Sequence, residues 1–129
     1  MLVPDINILV YAYNSDAREH IRAREWWEGT LMQGRPVGIP WVVALGFIRI
    51  STNAKSSFNA PMEKARELLK RFLSERNSAR IPDDLPALES NPQKSDEVTD
   101  SYLAELAARH DMKLATMDDG INHPAAVLL

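Results

Sequence analysis

Two aspartates end short apolar runs at opposite ends of this sequence. "MLVPDIN" leads into Asp5, and "KLATMDDG" leads into Asp118 and Asp119 before a glycine breaks the run. In an open parallel α/β sheet, ligands bind outside the carboxyl ends of the strands. If the two runs are neighbouring strands, Asp5 and Asp118 face one another at one sheet edge. A third acid, Asp100, lies in the amphipathic stretch "SDEVTDSYLAELAARHDM", on the flank of a face made by Val98, Tyr102, Leu103, Leu106 and His110. Asp96 stands four residues earlier, one helical turn away on the same side. Carboxylates brought together repel one another unless a cation sits among them. Mg²⁺ and Mn²⁺ suit all-oxygen donors and bind phosphates through their open positions. The chemistry open to such a site is phosphodiester hydrolysis.

Each acid also has an ordinary structural use. Asp96 and Glu97 in a first helical turn complement the helix dipole, and an aspartate after a strand is a common turn or cap residue. Asp119 is expected to face solvent. His20, His110 and His123 have no ligand spacing and are read as structural, and Trp26, Trp27, Trp41 and Tyr102 as core.

The elements that must position these acids follow from periodicity and punctuation. Residues 2–4 read as a strand that Pro4 ends, residues 7–14 as a helix, and residues 15–34 as a second helix capped by Ser15 or Asp16. "PVGIP" reads as a buried strand and "WVVALGFIRISTN" as a helix. "APMEKARELLKRFLSER" is a strongly amphipathic helix. "ARIP" is expected to be a strand, residues 83–95 a loop with at most one helical turn, "KLAT" a strand and "AVLL" a last one. Strands alternating with helices predict a three-layer α/β/α sandwich around a central, mainly parallel sheet, in one domain over residues 1–129.

Composition narrows the class further. With 129 residues, 45% hydrophobic and 26% charged, the chain is typical of a globular protein. It has no cysteine, so neither a disulfide framework nor a thiolate metal site is available, and a reducing cytoplasm is the expected location. Its apolar runs fall short of the ~20 residues that a membrane span needs. The net charge is −3, and residues 81–129 hold ten acidic against three basic side chains. Such a chain would bind a phosphate polymer through bound cations rather than through a basic surface. An aspartate-based phosphotransferase is a competing reading, but Asp5-x-Asn7 lacks the paired aspartates, and no lysine follows a strand near the acids.

Taken together and in order, "MLVPDINILVYAYN", "PVGIPWVVALGFIRISTN" and "VTDSYLAELAARHDMKLATMDDG" resemble the PIN-domain ribonucleases, most of all the VapC-type toxins of bacterial toxin–antitoxin pairs. The likeness runs over almost the whole chain. It implies an α/β/α sandwich, Mg²⁺- or Mn²⁺-dependent cleavage of RNA, a cognate antitoxin as partner, and a homodimer. By position, Asp5, Asp100 and Asp118 match the family's acidic ligands, with Asn7, Thr116 and Ser51 in supporting places. Thr52 and Asn53 continue the polar run after the third helix. Arg49 and Lys55 are candidates to contact the RNA backbone. Two departures stand out: Gly46 occupies the position where many PIN domains carry a glutamate, and the connection from Ile81 to Ser95 is short. Asp96 is the candidate to fill in for the missing acid. A PIN domain that binds RNA or a protein without cutting is the alternative function.

Overall fold

The computed structural model describes residues 1–56, 58–75 and 78–129. Its sheet has five parallel strands: β1 (Leu2–Pro4), β2 (Val37–Ile39), β3 (Ser78–Arg80), β4 (Lys113–Thr116) and β5 (Ala126–Leu128), in the order β3-β2-β1-β4-β5. The helices are α1 (Ile6–Tyr13), α2 (His20–Met32), α3 (Trp41–Ser51), α4 (Met62–Ser74) and α5 (Val98–Arg109). From β1 the chain steps outward through β2 to β3, then returns past β1 to β4. Right-handed crossovers therefore put α1 to α4 on one face and α5 on the other, which is the expected α/β/α sandwich. The order reverses between β1 and β4, and crevices at such a switch point bind ligands.

The central strands carry almost uninterrupted apolar side chains because both their faces are covered. Val3, Val37, Ile39 and Leu114 are fully buried. On the four-helix face, Phe72 of α4 meets Tyr13, Trp27 and Phe47 edge-on, at centroid distances of 4.6, 5.2 and 5.2 Å. This arrangement suits the ring quadrupoles and ties α1, α2 and α3 to α4.

The helix capping differs from the sequence reading at α2. Ser15 and Asp16 do not start it; Asn14 accepts a hydrogen bond from the Asp16 N–H at 3.1 Å, and residues 14–19 form turns before the helix begins at His20. An Asx turn of this kind competes with helix for the same backbone donors. The 81–95 connection holds one 3₁₀ turn at Ala87–Glu89, and a second at Ser95–Glu97 leads into α5. The buried face of α5 is also displaced by about one position. Leu103, Ala104, Leu106 and Ala107 are buried, whereas Val98 is 51% exposed. Trp41 is not core either, at 49% exposed, with the Arg80 guanidinium stacked 3.6 Å from its ring.

Pro40 has no side-chain donor or acceptor with which to cap α3, and the cap comes from a distant residue. The Asp83 carboxylate accepts from the Trp41 and Val42 N–H groups at 2.8 and 2.9 Å. This bond pair anchors the short connection after β3 to the start of α3, where the helix dipole favours an anion. Asp83→Ala is expected to destabilise the fold by about 1–2 kcal/mol, the usual effect of losing an N-terminal cap. The shift would be read as a lower urea midpoint at unchanged m-value.

Candidate active site

Asp5 follows β1 directly and is only 3% exposed. A carboxylate there must have its oxygens satisfied, and the fold satisfies both. Oδ1 accepts the Ile8 N–H at 2.9 Å, which makes Asp5 the N-cap of α1. Oδ2 accepts the Thr116 hydroxyl at 2.6 Å, across the β1–β4 pairing in which Pro4 lies opposite Ala115. The Thr116 oxygen in turn accepts the Asp118 N–H at 3.0 Å. Asp118 then closes its own turn by accepting the Gly120 N–H at 2.8 Å. A single threonine thus links the two strand-end acids, and the adjacent parallel strands expected from the sequence are what place it between them.

Asp100 comes from the other layer. It is half-buried on α5, three residues before fully buried Leu103, so the core side of that helix carries it toward the sheet edge. Burial raises its carboxyl, and the charges of Asp5, Asp118 and Asp96 raise it further, to about 6. Burial pushes Asp5 above the ordinary carboxylate range too, against the hydrogen bonds from Thr116 and Ile8, with Asp118 adding to the upward shift. Among the described residues, none of Asp5, Asp100 and Asp118 forms an ion pair. The three acids therefore share one field with no protein cation paired to it.

Two cavities open beside them. The larger, about 520 Å³, is bordered by Asp96, Asp100 and Asp118 together with Lys94, Asn122 and His123. The smaller, about 240 Å³, is bordered by Asp5, Asn7, Tyr11, Glu19, Met117 and Asp118. Asp118 belongs to both. Asn7 is exposed and borders the smaller one, and Asp119 is exposed as expected. Ser51 borders neither cavity: it is fully buried at the end of α3, and its hydroxyl has no partner among the described residues. Lys94, Glu19 and Tyr11 were not singled out in the sequence. Lys94 and Glu19 lie in loop or turn segments and Tyr11 is a partly buried residue of α1, and no periodicity marks them as site residues.

The histidines have structural partners. The His20 ring bonds the Tyr11 carbonyl at 2.7 Å, and His110 bonds Asp84 at 2.8 Å. His123 accepts the Ala125 N–H on Nδ1 at 3.0 Å, which leaves Nε2 to donate to Glu105 at 2.9 Å. Gly46 is buried where α3 crosses α1. A Cβ at that position would overlap Ile6 Cδ1 and stand 2.9 Å from Ile6 Cγ1.

The PIN domain family matches residues 2–127. The chain belongs to the PIN-domain family. Ribonuclease VapC38 of Mycobacterium tuberculosis is 33% identical over 130 residues, covering 94% of this chain and 87% of that protein. Ribonuclease VapC44 of the same species is 28% identical, covering 91% and 85%. With Ribonuclease VapC33 the likeness is 38% identity over 55 residues, and it spans only 38% of that relative's length. The fold also matches the crystal structure of VapBC2 from Rickettsia felis bound to a DNA fragment from their promoter. That match has a TM-score of 0.66 and 16% identity, and covers 99% of this chain and 96% of the other. Among the described residues, no helix of this PIN domain is long and apolar enough to cross a membrane.

Could these residues hold a divalent cation? Among the described residues, no three His, Cys, Asp or Glu side chains stand close enough to grip one ion between them. Mg²⁺ does not require that, since it commonly binds through one or two carboxylates and keeps several waters. An all-oxygen set of coupled, uncompensated carboxylates beside open cavities fits such an ion.

The repulsion has a measurable consequence. The native state holds the Asp100 proton up to about pH 6, whereas the unfolded chain releases it near its ordinary value of 3.8. Stability without metal therefore falls as pH rises between those values and stays lower above them. Asp100→Asn is expected to stabilise the metal-free protein by about 1 kcal/mol at pH 7, after allowing for solvent screening of a half-buried group. The difference should vanish towards pH 4 in urea denaturation series at the two pH values.

Proposed function

We propose that this PIN domain is a ribonuclease that hydrolyses RNA phosphodiester bonds with the help of Mg²⁺ or Mn²⁺. The observation that carries the reading is the joining of Asp5 and Asp118 through Thr116 at the sheet's switch point, with Asp100 in the same uncompensated field. Asp5, Asp100 and Asp118 are the acids proposed to hold the ion, one or two of them directly and the rest through its waters, and Asp96 stands at the rim of the larger cavity. A bound divalent ion would supply positive charge for the scissile phosphate and acidify an attacking water.

The protein's own part is positioning. Asp5 is fixed by two hydrogen bonds and cannot swing away when a polyanion enters. Asp118, exposed and pinned by its turn, faces both cavities. Asp100 approaches from the opposite layer, so a bound ion would be held from both faces of the sheet edge. Lys94, beside Asp100 and Asp118, is placed to meet a substrate phosphate, and Arg49 and Lys55 are exposed cations further out on the α3 side.

We further propose that the protein acts as the toxin of a toxin–antitoxin pair in the cytoplasm, with an antitoxin as its partner. The VapC ribonucleases it resembles and the likeness of its fold to VapBC2 support this. A homodimer is proposed through the α3 and α4 surfaces, where Trp41, Leu45 and Met62 are about half-exposed or more.

The second reading, a PIN domain that binds without cutting, is favoured by one observation. The position usually given to a glutamate is a glycine packed against Ile6. Incubating antitoxin-free protein with total RNA over a range of Mg²⁺ and Mn²⁺ concentrations separates the two. The ribonuclease yields discrete fragments that require metal and disappear in Asp5→Asn and Asp100→Asn. A folded protein that still binds RNA, yet leaves it intact with either metal, would sink the enzyme and leave the binding module.

A further inference from the structure

The acid that many PIN domains carry on α3 has no room here. Gly46 sits against the side chain of Ile6, and any Cβ at 46 would overlap it. Ile6 is buried and β-branched, so its χ1 is stiff and it yields little. A carboxylate projected from position 46 would therefore require Ile6 to change rotamer or α1 and α3 to move apart.

Another acid reaches the strand-end acids from a different element. Glu19 occupies the N-cap position of α2 without making a side-chain cap bond. Its side chain, about a third exposed, borders the smaller cavity with Asp5, Asn7 and Asp118. Tyr11 borders the same cavity. Its hydroxyl is raised first by burial and then by the charges of Glu19, Asp5 and Asp118 in turn. Glu19 therefore shares a cavity with the two strand-end acids, and Asp100 does not border it. Among the described residues its one ionic contact is a 3.7 Å approach to Arg18, which is 95% exposed and can only weakly neutralise it.

We propose that Glu19 takes over the role of the acid missing at position 46, as a positioning residue that faces the divalent-ion site from the Asp5–Asp118 side. The 240 Å³ cavity that Glu19 shares with the strand-end acids is large enough for water, so Glu19 would act on a bound ion through its waters. Asp96 differs in place: it borders only the larger cavity, beside Asp100, and does not face Asp5. The inference rests on the metal-dependent reading of the site given above.

The test is Mn²⁺ binding by the full chain, followed by electron paramagnetic resonance and by calorimetry, with no RNA present. Glu19→Gln, Glu19→Asp, Asp96→Asn and Asp5→Asn are compared with the parent, and urea midpoints without metal confirm the fold. Groups that orient ligands typically alter metal affinity by about 10- to 100-fold when removed. Glu19→Gln is expected to weaken Mn²⁺ binding about 10-fold, Glu19→Asp to recover part of that loss, and Asp96→Asn to have the smaller effect. Asp5→Asn should abolish binding. Loss of binding in Asp5→Asn with parental affinity in Glu19→Gln would overturn the role of Glu19 and leave the metal site standing. The same holds if Asp96→Asn alone shows the 10-fold loss. Unchanged binding in Asp5→Asn would remove the metal site and the inference together.

Discussion

The hydrogen bond between the Thr116 hydroxyl and the buried Asp5 carboxylate is the contact on which the site depends. A carboxylate that is 3% exposed needs donors for both oxygens, or it would protonate or leave the interior. One donor comes from the first turn of α1 and the other from the end of β4. The bond therefore fixes where β1 stops, where α1 begins and how β4 lies alongside. It also relays position to Asp118, whose backbone N–H bonds the same threonine oxygen. The sheet edge and the acid cluster are two descriptions of one hydrogen-bonded unit.

The bland and the chemical readings of these acids are not alternatives. Asp5 caps α1, and Asp118 closes its own turn with the Gly120 N–H, as aspartates after strands commonly do. Those local duties immobilise the carboxylates, and immobility is what a site for an ion and a phosphate needs. The repulsion left over is concentrated on Asp100, which has no capping bond to offset it.

Much of this was legible in the sequence because periodicity and strand-end placement are local signals. The parallel sheet, its alternation with helices, the strand-end positions of Asp5 and Asp118 and the flanking place of Asp100 all follow from patterns within about fifteen residues. What was missed is non-local. Nothing near Pro40 indicates that Asp83 caps α3 from 42 residues away, and the cap fixes a connection whose sequence reads as plain loop. Trp41 was assigned to the core on its residue type. Its place at the first turn of α3 leaves it half-exposed under Arg80. Ser51, grouped with polar residues that line the site, turned inward because α3 ends against Ala60, whose N–H bonds the Ser51 carbonyl. Glu19 sits in an irregular turn, and only the folded chain shows that the turn returns to β1.

The pairing of β1 with β4 joins residues more than a hundred positions apart. A ribosome delivers the chain from its N-terminus, so Asp5 emerges long before Thr116 and Asp118 exist to meet it. During that interval α1 to α4 can pack on one another through Phe72 and its aromatic neighbours, while the acids remain apart. Loop closure of this length is slow compared with helix pairing. The carboxylate cluster therefore assembles as a late step of folding, and an incompletely synthesised chain contains every helix of one layer but no acidic site.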